Sequence, residues 1–212
     1  MNVFYLDHHT QRCAKQHVDK HVVKMIVEYA QLLSTAHRVL DGEEYEGRTA
    51  NNRRIRRFKM ADSNVENTLY KASHINHPSA IWVRQSSQHY RWLYRLFMWL
   101  CVEYTWRYGK IHSTERLLGN LLGNIPKNIK DNGFVEPPQA MPDYCKVPGD
   151  SIKAYQKYYV EEKIGFAKWT KRDIPTWFVA EAYAGFGEPA GLCQLGSNLN
   201  VKHTRGIKWR DK

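Results

Sequence analysis

At 212 residues, 42% of them hydrophobic and 25% charged, the chain is long enough for one domain with a substantial core. A formal net charge of +11 points to a polyanionic partner, nucleic acid ahead of an anionic membrane surface. No apolar run approaches the roughly 18 residues of a transmembrane helix, and residues 1–7 lack the basic region and long apolar core of a signal peptide. Cytoplasmic location is therefore expected. Cys13, Cys101, Cys145 and Cys193 are far apart with no Cys-x-x-Cys pair, which excludes zinc-knuckle spacing and a dense disulfide framework.

In chain order, residues 2 to 6 form an apolar lead-in that reads as a strand or an extended arm. Thr10 is a suitable N-cap for a helix running to about Leu40, which Asp41-Gly42 ends. On that helix His17, His21, Lys24, Glu28 and Gln31 are spaced 4, 3, 4 and 3 apart, so all five share one stripe about 80° wide. Val22, Met25, Ile26, Tyr29, Leu32, Leu33 and Ala36 fill the adjacent sector. A helix apolar over most of its circumference is largely buried. Its one polar stripe either faces water as a solvated surface or lines a cleft.

Residues 43–47 read as an acidic loop. Asn51-Asn52-Arg53-Arg54-Ile55-Arg56-Arg57-Phe58-Lys59 follows, a basic run that is either a solvated face or a strip for phosphates. Residues 62 to 73 are weakly helical in character, and Pro78 suits the first position of a new helix capped by Asn76 or His77. The stretch from there to Tyr108 is the most aromatic of the chain, chiefly core, with Arg84, Arg91, Arg95 and Arg107 on other faces. Gly109-Lys110 closes it, residues 113 to 122 suggest a short helix, and 123 to 150 are a Pro/Gly/Asn-rich loop region. Asp150 or Ser151 caps a helix through Ile152, Tyr155, Tyr159 and Ile164, broken at Ile174-Pro175. Strand signals are nearly absent, so the expected class is all-α: a single compact domain of about four to six helices with long loops, its core at about 1–178. The segment 179–212 reads as a basic, Gly-rich extension.

Two chemistries fit the stripe. His17-x-x-x-His21 has the spacing that lets two imidazoles meet one ion. Val18, however, replaces the glutamate of the zinc-protease motif, and Lys24 one turn on repels a cation. No metal or other cofactor is expected. A partly desolvated Lys24 would instead be a neutral amine able to attack an electrophilic carbon such as a sugar C1′, with Glu28 at i+4 to orient it or shuttle protons. The same two residues also fit an ordinary helical ion pair.

Three motifs, in order, carry a resemblance. Ala14-Lys15-Gln16-His17-Val18 precedes Lys24 and Val27-Glu28; Asn76-His77-Pro78-Ser79-Ala80 with Trp82 precedes Glu103-Tyr104 and Arg107-Tyr108-Gly109; Glu161-Glu162-Lys163-Ile164 precedes Pro175-Thr176-Trp177-Phe178. Together they resemble the pyrimidine-dimer DNA glycosylases of the phage endonuclease V type and their shorter bacterial relatives, over roughly residues 1 to 178. The resemblance implies an all-α domain that binds duplex DNA, extrudes a nucleotide and excises a damaged base with an amine nucleophile and an acidic residue, without metal. It departs at the centre. Lys24 stands where the family's glutamate falls, Val23 and Val27 where arginines fall, and Asn2, which disfavours removal of Met1, where the family has a small residue.

The expected function is an N-glycosylase for a damaged or modified pyrimidine in double-stranded DNA, with or without AP lyase activity, acting as a monomer. Lys24, or the N-terminal amine at Asn2, is the expected nucleophile, with Glu28 and His21 beside it; His17, Gln31, His77 and Trp82 line the pocket. Arg53, Arg54, Arg56, Arg57, Arg84, Arg107 and Lys110 hold phosphates. The competing expectations are a non-catalytic nucleic-acid-binding protein on the same scaffold and an enzyme acting on nucleotides.

Overall fold

A computed structural model describes residues 1–183; most of the basic, Gly-rich extension, with Cys193, lies outside the described residues. Among the described residues the chain forms α1 (Thr10–Gln16), α2 (Asp19–Asp41), β1 (Glu43–Arg48), β2 (Arg54–Lys59), α3 (Ser63–Thr68), α4 (Pro78–Gln85), α5 (Ser87–Tyr108), α6 (Ser113–Leu118), α7 (Ser151–Lys163) and α8 (Thr176–Tyr183). The content is predominantly helical, but the all-α expectation is overturned. β1 and β2 pair antiparallel from Glu43↔Lys59 to Arg48↔Arg54, and eight helices replace the four to six expected. The hairpin arises because the acidic loop and the basic run alternate in step, which sets carboxylates against guanidinium groups across the strands. Asn52, at φ 59°, supplies the left-handed turn residue.

The long N-terminal helix is also two helices. α1 ends at Gln16, and His17 is extended at ψ 134°. The break is held from outside. Arg107, on α5 with a fully buried side chain, donates to the His17 carbonyl (3.0 Å), the Lys15 carbonyl (3.0 Å), Asp19 Oδ1 (2.9 Å) and Glu103 Oε1 (2.7 Å). Arg172 adds a bidentate pair to Glu103, both bonds 2.9 Å. Burial works to raise the Glu103 carboxyl, but the hydrogen bonds from Arg172 and Arg107 hold it below the usual carboxylate range. Arg107 thus stitches the α1–α2 junction to α5 and is not available to phosphates.

α5 packs across α1 and α2 at the centre of the core. Its ends follow local rules: Ser86 caps its start, and Gly109 at φ 69° closes it in the left-handed conformation. His77 caps α4 with Pro78 at the first position, and Asp150 caps α7 by accepting from the Lys153 amide.

The N-terminal lead-in is an extended, buried arm, with Val3, Phe4, Tyr5 and Leu6 all within 5% exposure. Its anchor is a chain of neutral hydrogen bonds. The Phe4 amide donates to Tyr29 Oη (3.1 Å), the Tyr29 hydroxyl donates to His17 Nε2 (3.1 Å), and His17 Nδ1–H donates to the Cys13 carbonyl (2.7 Å). Cys13 Sγ donates to the Phe4 carbonyl. Phe4 stacks on His21 at 4.4 Å, and His21 Nδ1 is hydrogen-bonded to the Tyr159 hydroxyl at 2.7 Å. Burial pushes His17 down to about 4 and His21 to about 3.

These shifts set an acid limit. A depressed imidazole contributes stability above its unfolded value of about 6.5, and the contribution is lost as pH falls toward the folded value. For His17 the expected loss is on the order of 3 kcal/mol between pH ~6.5 and ~4. Urea unfolding across that window measures it. His17→Asn retains a donor for the Cys13 carbonyl and should flatten the curve; an unchanged pH slope would contradict the neutral-imidazole anchor.

Candidate active site

The polar stripe survives on α2 from His21 onward and extends past Gln31 with the same spacing to Thr35 and Arg38. Its two halves do different work. In the C-terminal half every member holds the returning chain at 58–77. Arg38, whose side chain is 3% exposed, uses all five of its donors, on the carbonyls of Tyr70 (2.7 Å), Phe58 (2.9 Å), Glu66 (2.8 Å) and Leu69 (2.9 Å) and on Glu66 Oε2 (2.7 Å). Thr35 Oγ1 accepts from the Ser73 amide (3.2 Å), and Gln31 Nε2 donates to the Lys71 carbonyl (2.6 Å). Gln31 is therefore a strut for the segment that leads to His77.

The N-terminal half of the stripe stays open. Lys24 Nζ lies 3.1 Å from Glu28 Oε1, their side chains 68% and 20% exposed. Lys24 is thus not the desolvated amine its sequence role required. Val23 and Val27 are each 41% exposed on the same face. Across from Glu28 lies the turn before α4, in which the His77 amide donates to the His74 carbonyl (2.8 Å) and His74 adopts φ 50°. A non-glycine residue held in this conformation stores strain, which is tolerated where the surroundings fix it.

His77 Nδ1 accepts from the Ser79 amide at 3.1 Å, which leaves its proton on Nε2. Its pKa is lowered by burial first, then by the α-amino group of residue 1 and by His74, against an opposing pull from Glu28. The α-amino group of residue 1, His74 and Glu28 are thus near enough to His77 to act on its charge. Met1 and Asn2 are half-buried there, fixed by the Phe4–Tyr29 bond. His77 entered the sequence reading as a pocket residue; its nearness to residue 1 and Glu28 depends on the arm's path, for which only the apolar run at 2–6 was a signal.

Other expected site residues lie elsewhere. His17 and His21 are buried at 0% and 6%, and both nitrogens of His17 are bonded, so the pair cannot converge on one ion. Trp82, 3% exposed, stacks on His89 at 4.6 Å and donates to the Val135 carbonyl, so it is core. Arg84 is half-buried and donates to the Ile75 carbonyl (2.7 Å). Lys110 and the hairpin arginines 53, 54 and 56 are exposed, Arg57 less so. Trp99, Trp106 and Tyr108 are the aromatics of α5 that are exposed, and Arg172 lies over the Trp106 ring at 5.3 Å. No family model matches the chain, and neither a curated protein nor a solved structure shows significant similarity to it.

Arg38 should prove the most sensitive residue of this region. Replacing it with alanine strands four backbone carbonyls and Glu66, an expected loss of about 3–5 kcal/mol in urea unfolding. Arg38→Lys should recover little, because an ammonium cannot reproduce the planar five-donor fork. A fully stable Arg38→Lys protein would show that the fork is dispensable.

Proposed function

We propose that the chain is a DNA N-glycosylase, with AP lyase capacity, that acts on a damaged or modified pyrimidine extruded from duplex DNA. The observation that carries the reading is the open end of the α2 stripe at Lys24 and Glu28, where Glu28 and the α-amine of residue 1 both lie near enough to His77 to act on its charge. The α-amine is a primary amine on a short, backbone-held arm, and its unprotonated form is a nucleophile able to form a Schiff base with a sugar carbon. The amine lone pair attacks C1′, and the glycosidic C–N bond breaks with its electron pair leaving on the base. Glu28 accepts the proton released from nitrogen and can return it to the ring oxygen as the Schiff base forms. His77, neutral with its proton on Nε2, can donate a hydrogen bond to the departing base or to the sugar. Val23 and Val27 offer an apolar surface to an extruded nucleotide, whose removal from the stack is what gives the amine access.

The resemblance in sequence to the pyrimidine-dimer glycosylases supports this reading; so does the net charge of +11. A second reading, a duplex-binding protein without catalysis, is favoured by the exposed Lys24–Glu28 pair, which alone is what many helix surfaces carry.

Borohydride trapping on a duplex containing an abasic site or a pyrimidine dimer separates the two. A covalent adduct is expected, and peptide mapping should place it on the N-terminal peptide. Glu28→Gln should lower base release about 100-fold or more, whereas Lys24→Ala should retain most of it. Salt-dependent duplex binding without an adduct or base release on any substrate would favour the non-catalytic reading.

A further inference from the structure

Strand register sorts the hairpin's charges onto two faces. Cross-strand partners share a face, so Glu44, Glu46, Arg48, Arg54, Arg56 and Phe58 lie on one and Glu43, Tyr45, Gly47, Ile55, Arg57 and Lys59 on the other. On the first face Arg56 pairs with Glu44 at 2.7 Å and Arg54 with Glu46 at 3.4 Å. On the second, the stem of Arg57 crosses the hairpin at Gly47, where a Cβ would come within 2.8 Å of Arg57 Cγ. Between Gly47 and Arg57 there is no acidic residue. Among the described residues Arg48, Arg53 and Arg57 pair with no carboxylate, and Arg48 instead donates to the Asn52 carbonyl and Oδ1, both at 3.2 Å.

The hairpin projects. Phe58 is its one buried side chain, and its base is held through the bond from Arg38 to the Phe58 carbonyl. It stands on the same side of α2 as Glu28, because the chain from Lys59 to His77 follows the stripe through Arg38, Thr35 and Gln31. Gly42 is fourteen residues beyond Glu28; at about 1.5 Å per residue the separation is roughly 21 Å along the axis. Burial lowers the pKa of Arg84 on α4, and so does Arg56, so a further guanidinium faces the ribbon from the body of the protein.

We propose that β1–β2 is a basic ribbon that enters the major groove of duplex DNA beside the extruded nucleotide, with Arg48, Arg53 and Arg57 on the groove's phosphates. The occupant follows from charge complementarity and shape. Arg48 and Arg53 sit at the turn end of a two-stranded ribbon about 20 Å long and Arg57 partway along it, none of them paired with a carboxylate, and a major groove about 12 Å wide admits such a ribbon. The location relative to the extruded nucleotide rests on the function proposed above.

The test is duplex affinity of the full chain between 50 and 200 mM salt, roughly the range over which counterion release is read. Arg53→Gln/Arg57→Gln should lower affinity at least tenfold and reduce the salt slope by about two, whereas Arg53→Lys/Arg57→Lys should keep the slope. Lys153→Ala/Lys157→Ala on α7, with the same change of net charge, should leave it near wild type. An equal effect of both pairs, or equal losses on a single strand of the same length, overturns groove entry. If the glutamine pair binds like wild type while wild type still forms the trapped adduct, the ribbon is wrong and the glycosylase reading stands. If wild type shows no salt-dependent duplex binding, both fall.

Discussion

Arg38 is the constraint on which the candidate site depends. A guanidinium with all five donors satisfied by four carbonyls and one carboxylate fixes the base of the hairpin, the end of α3 and the strand-like return at 69–73 against a single helix. The Leu69 and Tyr70 carbonyls lie in irregular chain and those of Phe58 and Glu66 near the ends of β2 and α3, and a buried carbonyl without a donor is costly. One side chain therefore replaces a whole element of secondary structure. Glu66 completes the arrangement from the other side. Burial opposes its charge, but the Met60 amide and Arg38 hold its carboxyl below the usual range.

Site geometry then follows from two elements that cannot easily move. Glu28 is on α2, packed against α5, and His77 caps α4, whose Nδ1 bond to Ser79 fixes both ring orientation and tautomer. The third member arrives on the buried arm, tied to α2 by Tyr29. That arm is held only while His17 is neutral, because the Tyr29 hydroxyl needs an acceptor at Nε2 while Nδ1 donates to Cys13. Position at the site is in this way linked to a buried imidazole with no part in the chemistry. Groups on rigid elements supported by a second layer of bonds keep the precision that the proposed attack on a sugar carbon would require.

What was legible in the sequence was local. Asp41-Gly42, Pro78, Gly109 and Asp150 mark helix ends through their own backbone and side-chain chemistry, and each stands at its helix end. The His17–Val18 break was not legible, since a continuous 3.6-residue pattern crosses it and the cause, Arg107, is ninety residues away. Arg107 itself read as a phosphate contact, because a sequence does not distinguish a buried cation from an exposed one; Glu103 one turn before it was the available signal. The stripe was legible as a stripe, but its division into strut and open surface depended on where the 58–77 segment returns. The hairpin hid behind its charge: alternation in Arg-Ile-Arg-Arg-Phe is masked when the outward residues and half of the inward ones are arginine.

The net charge takes on meaning once the buried cations are set aside. Arg38 and Arg107 are enclosed by carbonyls and by Glu66, Asp19 and Glu103, and Arg172 shares Glu103. Acidic residues are thus drawn inward to neutralise cations that the fold needs, and on β1 Glu44 and Glu46 are paired on one face of the ribbon by Arg56 and Arg54. On the hairpin this leaves Arg48, Arg53 and Arg57 without a carboxylate partner, in a stretch where acids are absent from the sequence. A basic composition alone would spread a weak field over the whole surface. Pairing of this kind converts it into a local one, on an element that shares its anchor, Arg38, with the segment carrying His77.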